Sequence, residues 1–349
     1  MGRISYAGLL LSTLFLFSCQ TSRFTEVDAP VRVSVSCRLV YVIHGDGSYL
    51  YHDKDGKAYR ADEEALKEAI SVAENNPSAE VYIFHQRRRH LIPPSGDGRF
   101  YYYRGGQALV ESSYWRGESE HAFEAEGQLF RKYSSGAAPR HTFFLYYGHQ
   151  VPEYDGRGYH RSYPGRSFTV QTLSEGLAHF KYQGQEKFDL VLLSTCYSGT
   201  PGVIGALCTH ARYIIASPEN LHLSSINSLL FRRLDDLQTT DIYSFLKGAV
   251  EDAFERLKEN TQTVITVALY DTEKVTAYLD SIGERYRAIL NEISSPSFRG
   301  RFRFSDCAED LRFLSYGMSE GVDIFYRPPL FGKESEKNTH SGWECLRLR

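Results

Sequence analysis

Thiol-dependent hydrolysis of an acyl bond needs few parts. A cysteine attacks the carbonyl, an imidazole moves protons, and backbone N–H groups hold the oxyanion. The stretch LVLLSTCYSGT (190–200) carries an apolar run into Cys196, and Gly199 and Gly202 let the chain turn just after it. FFLYYGH (143–149) ends in His149, RLVYVIH (38–44) in His44, and AEVYIFH (79–85) in His85. Asp46 follows His44 in HGDG, and Glu219 sits in ASPEN after a further apolar run. Ligands of open parallel α/β sheets bind outside the carboxyl ends of the strands. If these runs are strands, three histidines, one cysteine and one acid share a rim. Cys196 is then the candidate nucleophile and His149 its candidate proton partner. GVIGALCTH (202–210) reads as a helix following Cys196, and a helix N-terminus lowers the pKa of a nearby thiol. Cys208, inside that helix, reads as an inert buried sulfur.

The elements that must hold these residues are legible in the pattern. ADEEALKEAISVAENN (61–76) places Leu66, Ala69, Ile70 and Ala73 on one face behind an acidic first turn, as an amphipathic helix does. FTVQTLSEGLAHFKYQ (168–183), DIYSFLKGAVEDAFERLKEN (241–260) and TEKVTAYLDSIGERYRAILNEI (272–293) read as further helices. HTFFLYYGH (141–149), FDLVLLSTC (188–196), ARYIIAS (211–217) and TVITVALYD (263–271) complete a set of six strands. Continuous apolar strands alternating with helices imply an α/β fold. Its core is a mostly parallel six-stranded sheet with helices on both faces. Between the second and third strands, HLIPPSGDGRFYYYRGGQALVES (90–112) has the punctuation of a hairpin insertion. From about residue 295, RGRFRFS, LRFLSYG and VDIFYRPPLF suggest short strands added at one edge. One domain over 37–349 is expected.

LYYGHQ followed by DLVLLSTCYSGT resembles the His-Gly and Asp-Ala-Cys blocks of the clostripain-like (C11) cysteine peptidases. That family has a caspase-like fold and groups with legumain, gingipain and separase. TVQTLSEGLAHF stands where the family has the helix between its two catalytic strands. ARYIIASPEN resembles the strand and Ala-Ser-Glu-Glu block after the nucleophile, and TVITVALYDTEKVTAYL the later strand-Asp-helix block. The resemblance implies a cysteine endopeptidase that hydrolyses peptide or protein substrates through an acyl-enzyme. It implies Cys196 as nucleophile, His149 as the donor of a proton to the leaving amine, and backbone N–H groups at Cys196 and Gln150 as the oxyanion site. The family includes calcium-dependent members. No calcium ligands are identifiable here, and no other cofactor is expected.

Two positions depart from the family pattern. Gln150 stands directly after the histidine, where the family has Gly. Ser194 stands two before the cysteine, where relatives often keep an Asp that helps select Arg or Lys. Ser194, Glu219, His44 and Asp46 are therefore the candidates for lining the substrate pocket. The same departures fit a second reading, a catalytically degenerate surface lipoprotein that binds without hydrolysing. His44-Gly45 forms a second His-Gly pair, but its place in the strand order makes it rim-lining. QRRR (86–89), between His85 and His90, reads as a solvated loop or a contact for acidic groups.

The N-terminus, MGRISYAGLLLSTLFLFSCQTS, has a basic Arg3, an apolar run from Ala7 to Phe17 and small Ser18 before Cys19. The run is too short to span a bilayer as a mature helix and has the layout of a secretory signal. LFSC resembles a bacterial lipobox. It implies removal of residues 1–18, lipidation of Cys19 and a tether over 19–36. Gln20, not Asp, follows the cysteine, so an extracytoplasmic place in the bacterial cell envelope, on the outer membrane, is expected. Five cysteines then remain, and an odd count leaves at least one free thiol. Cys307 and Cys345 are one candidate pair among several. A net charge of −3 over 349 residues excludes a general nucleic-acid binder. C-x-x-C and H-x-x-x-H zinc spacings are absent. YHDKDGKAYRAD (51–62) fails as an EF-hand because Tyr51 holds the first ligand place. There is no G-x-S-x-G elbow for a serine hydrolase. A monomer is expected.

Overall fold

The computed structural model describes residues 35–52, 56–89, 96–117, 119, 121–134, 138–221, 226, 228–295, 297–298, 300–313 and 320–348. The signal segment, Cys19, nearly all of the tether and His90 lie outside the described residues.

The first strand, β1 (Cys37–Gly45), is buried along its whole length. Leu39, Tyr41 and Ile43 join one apolar cluster, and Val40 and Val42 join another on the opposite face. That two-sided burial is what a continuous apolar run specifies. A small hairpin, β2 (Leu50–His52) and β3 (Ala58–Arg60), leads into α1 (Ala61–Glu74) and β4 (Ala79–Arg87). The hairpin β5 (Gly98–Arg104) and β6 (Gln107–Tyr114) follows, then α2 (Glu124–Tyr133) and β7 (His141–Tyr147). Next come α3 (Val170–Leu177), β8 (Phe188–Ser194), α4 (Pro201–Leu207) and β9 (Ala211–Ala216). The chain continues through α5 (Ile242–Asn260), β10 (Ile265–Asp271), α6 (Thr272–Ser294), β11 (Phe302–Asp306), β12 (Val322–Arg327) and β13 (Glu344–Leu348).

Nine strands form one sheet in the order β12-β10-β9-β8-β7-β1-β4-β5-β6. Its centre, β9-β8-β7-β1-β4, is parallel. α1 and α5 cover one face, and α2, α3, α4 and α6 the other. β1 lies between β4 and β7, so the winding reverses there and opens a crevice at the strand ends.

The mostly parallel sheet and the hairpin insertion are as expected, in a nine-stranded rather than six-stranded sheet, and three details are added. The sixth strand, β10, runs antiparallel to β9. After β9 a 3-10 segment (228–238) travels to the other end of the sheet. There Phe231 O accepts from Asn76 Nδ2, and Asp235 Oδ1 from Ser78 Oγ. α5 then brings the chain back, so β10 starts where β9 ended. The predicted hairpin insertion is β5–β6, and it extends the main sheet. The C-terminal strands do not all join one edge. β12 pairs with β10, while β11 and β13 form a separate ribbon closed by a Cys307–Cys345 disulfide. Among the described residues, no helix is long and apolar enough to cross a membrane.

Candidate active site

The β7–β8 register pairs Tyr147 with Ser194. His149 and Cys196 therefore each stand two residues beyond the same rung. β1 pairs Ile43 with Tyr147, which puts His44 at the neighbouring strand end. His85 is not at the rim. It lies within β4, with Nε2 3.2 Å from Asp62 Oδ2 in the first turn of α1.

Backbone bonds to the next loop hold the turn that carries Cys196. Tyr197 N–H donates to Glu219 O at 3.1 Å, and the Ser198 and Gly199 N–H groups donate to Ser217 O at 2.8 and 3.0 Å. The left-handed residue in the turn is Tyr197, with φ 47°. Gly199 is required by packing, because a Cβ there would lie 2.8 Å from Pro218 Cα. α4 starts only at Pro201, behind the cap in which Thr200 Oγ1 accepts from Val203 N–H at 3.1 Å. Cys196 is thus outside the reach of a seven-residue helix's dipole. The expected depression of its pKa is not found; burial pushes the thiol up. Its Sγ lies 3.0 Å from both Asn220 Oδ1 and Leu221 O, two acceptors for its single proton. Cys37, Cys196 and Cys208 are free. Cys208 caps α4 rather than lying inside it, and burial pushes the Cys37 and Cys208 thiols to about 11.

The His149 ring is held by aromatic neighbours. Tyr49 stacks on it with centroids 4.0 Å apart and planes 17° from parallel. The backbone of Ser48 hydrogen-bonds the ring, and desolvation by these neighbours lowers its pKa. Gly47 permits the close approach, since a Cβ there would lie 2.8 Å from Tyr49 Cε2 and 3.3 Å from His149 Nε2. The Tyr49 hydroxyl hydrogen-bonds His44 Nδ1 at 2.8 Å. His44 in turn stacks on Tyr159 at 4.7 Å, and the Tyr159 hydroxyl donates to His149 O at 3.1 Å. Tyr49, His44 and Tyr159 form a closed bracket around the histidine.

A buried ionic cluster lies beside this bracket. Arg116 Nη2 donates to Asp46 Oδ2 at 2.9 Å, and its Nε to Asp97 Oδ2 at 3.3 Å. Ser162 donates to both Asp46 oxygens, from N–H at 3.1 Å and from Oγ at 2.9 Å. Arg116 Nη1 is 3.2 Å from His160 Nδ1, and burial together with this cation takes His160 down to about 3. The Asp46 carboxylate is therefore committed inside the protein. Ser194 is fully buried and accepts from Ile226 N–H at 3.3 Å. Glu219 turns its carboxylate toward His340 Nε2, 3.7 Å away. The backbone N–H of Gln150 donates to no backbone acceptor among the described residues, while that of Cys196 interacts with its own sulfur.

Two residue groups have metal-like spacing among the described residues. In the His44-Asp46-His160 group the place of a cation is taken by the Arg116 guanidinium. In the Glu219-His340-Glu344 group, His340 Nδ1 accepts from Gly342 N–H at 3.0 Å, so Nε2 carries the ring proton and is a donor. Calcium prefers oxygen shells, and neither group supplies one.

Tyr49, Tyr159, Arg116 and Asn220 were not singled out by the sequence reading. Tyr49 had a signal in its place just after HGDG, at the end of the first strand. Arg116 had none, because its partners are distant in the chain.

No protein-family model and no curated protein matches the sequence. Solved structures do match. One is a secreted C11 cysteine protease from Bacteroides thetaiotaomicron in complex with an irreversible peptide inhibitor, at 14% identity and TM-score 0.54 over 90% of each chain. Another is a secreted C11 protease of that organism called iotapain, at 13% identity and TM-score 0.55, covering 89% of this chain and 93% of that one. A third is an inactive zymogen C11 protease from Parabacteroides distasonis, at 14% identity and TM-score 0.55, covering 91% and 93%. The chain has the caspase-like α/β fold of the C11 cysteine proteases.

Proposed function

We propose that this chain is a clostripain-like cysteine endopeptidase with Cys196 and His149 as its dyad. The observation that supports the reading is the shared rung: Tyr147 pairs with Ser194, and His149 and Cys196 each follow two positions past those paired strand ends. A peptide substrate is supported by the inhibitor bound to the Bacteroides thetaiotaomicron protease.

The single thiol proton faces Asn220 Oδ1 and Leu221 O, and no Cys196–His149 hydrogen bond exists among the described residues. Attack requires Sγ to rotate toward the substrate carbonyl. Burial keeps the thiol protonated at neutral pH, and desolvation keeps His149 a neutral base. His149 takes the thiol proton as sulfur bonds to the carbonyl carbon. The N–H groups of Cys196 and Gln150 receive the oxyanion. Collapse breaks the C–N bond, and His149 passes its proton to the leaving amine. Water, deprotonated by the same imidazole, hydrolyses the thioester and restores the thiol.

Lipid anchoring through Cys19 on the outer membrane is part of the same proposal, resting on the N-terminal sequence. The full chain is incubated with peptides carrying Arg, Lys, Asp or Asn before the scissile bond and with a peptidyl acyloxymethyl ketone. Cleavage, with labelling lost in Cys196→Ala and reduced in His149→Ala, is expected. No cleavage and labelling independent of both residues would overturn the peptidase reading in favour of a non-hydrolysing binding module.

A further inference from the structure

The C-terminal ribbon is built onto the nucleophile turn. Glu344 N–H donates to Gly199 O at 3.1 Å. Tyr197, the neighbour of Cys196, stacks on Phe304 of β11 with centroids 4.4 Å apart and planes 11° from parallel. Trp343 is fully buried in the core, and the disulfide closes the ribbon's base. The ribbon is thereby fixed relative to Cys196.

Between this ribbon and the segment after His149 lies a cleft of about 280 Å³. One wall is Gln150, Pro152 and Tyr154; the other is Phe302, Phe304 and Leu346. The two phenylalanines alternate along β11 and so share a face, and Leu346 pairs directly with Phe304 across the ribbon. Tyr154 meets Phe302 edge-on at 6.1 Å, and Phe302 remains 39% exposed. The cleft adjoins both candidate residues through their chain neighbours: Gln150, next to His149, lines one wall, and Phe304 of the other stacks on Tyr197, next to Cys196. Among the lining carboxylates, Glu153 accepts from the Tyr286 hydroxyl at 3.0 Å and is turned inward. Asp155 is exposed at the rim.

We propose that this cleft is a substrate subsite for one aromatic or large aliphatic side chain flanking the scissile bond. The inference rests on the peptidase reading, which lays a peptide across Cys196 and His149. One wall then extends from each catalytic residue, and the walls meet around an apolar space sized for a single side chain. Specificity is thereby moved from an acid at position 194, where Ser194 is buried, to apolar contact with the ribbon.

The test separates binding from cleavage. The Cys196→Ala chain is titrated with a position-scanned set of fluorescent peptides carrying Phe, Leu, Ala, Arg or Asp at each flanking position. Phe and Leu are expected to bind roughly tenfold more tightly than Ala at one position. Phe302→Ser, at an exposed site that leaves the fold intact, removes that preference without weakening the Ala peptide. Phe302→Leu restores most of it. A preference unchanged in Phe302→Ser, or a preference for Arg or Asp at every position, overturns the subsite. Cleavage of the same peptides by the chain with Cys196 intact tests the peptidase reading separately. Selective binding without cleavage sustains the subsite and sinks the peptidase. Cleavage with no Phe302-dependent selectivity does the reverse.

Discussion

The Tyr49 ring lies on the face of the His149 ring, 4.0 Å away and 17° from parallel, while its hydroxyl reaches His44 at 2.8 Å. The stack fixes the plane of the imidazole and therefore the direction of its nitrogens. Aromatic pairs of this kind are worth about 0.5–1.5 kcal/mol beyond burial. Tyr49→Ala should lower kcat by up to about tenfold and leave KM nearly unchanged. Tyr49 is only 6% exposed, so it offers substrate little surface. Tyr49→Phe keeps the stack and should retain most activity. Equal losses in the two variants would assign the orienting role to the hydroxyl bond instead.

The ionisation of Cys196 and His149, the proposed dyad, gives a second prediction. Burial raises the Cys196 pKa and desolvation lowers that of His149, so the resting pair is thiol and neutral imidazole. A preformed thiolate–imidazolium pair would need the opposite shifts. Iodoacetamide alkylation of Cys196, followed by peptide mass, should rise steadily through pH 9 with no plateau between pH 6 and 8. His149→Ala should leave that profile almost unchanged. A neutral-pH plateau that disappears in His149→Ala would show that the resting pair is ionised.

The strand ends were legible because each catalytic candidate closes a long apolar run, and parallel central strands are buried on both faces. That pattern located His149 and Cys196 before any coordinates. It overran the ends. β7 stops at Tyr147 and β8 at Ser194, and His85 sits within β4 rather than past it. The helix after Cys196 was legible as apolar residues, but its start depends on Thr200 and Pro201, which move the dipole away from the sulfur. The direction of β10 was not legible, because it follows from where residues 231 and 235 dock near residues 76 and 78. α2 was missed because its short sequence, EAEGQLFRKY, contains few apolar residues, of which Phe130 is fully buried. Arg116 meets Asp46 across 70 residues of sequence, a pairing no local pattern encodes.

That pairing carries the third prediction. Arg116 is 4% exposed, and its guanidinium serves Asp46 and Asp97, both fully buried. Removing one partner of a buried ion pair costs about 3–5 kcal/mol, because the remaining charge is left without compensation. Arg116→Ala should show a loss of that order in urea unfolding. Arg116→Lys should recover only part of it, since one ammonium cannot match the guanidinium's fork. A loss below about 1 kcal/mol in Arg116→Ala would mean that Asp46 and Asp97 do not depend on this cation.

The ribbon that anchors the Cys196 turn should respond to pH through Glu344. Burial, with Glu219 nearby, pushes its carboxyl from the ordinary 4.5 to about 10. Below the ordinary value both folded and unfolded chains hold the proton, and the group costs nothing. As pH rises from 4.5 toward 10, the unfolded chain releases the proton and the folded chain keeps it, so stability is progressively lost. His340 acts in the other direction. Burial lowers it to about 4, so its cost appears only as pH falls below its ordinary 6.5. A comparison of pH 7 with pH 9 therefore excludes His340, and the difference between Glu344→Gln and the unaltered chain cancels the other buried groups that titrate there, Glu68 and Glu153 among them. Glu344→Gln keeps the side chain's shape and the backbone bond to Gly199, and it removes the titration. The thermal midpoint of Glu344→Gln should exceed that of the unaltered chain, by more at pH 9 than at pH 7. Parallel midpoint curves for the two proteins across that range would show that Glu344 ionises at its ordinary value in the folded state.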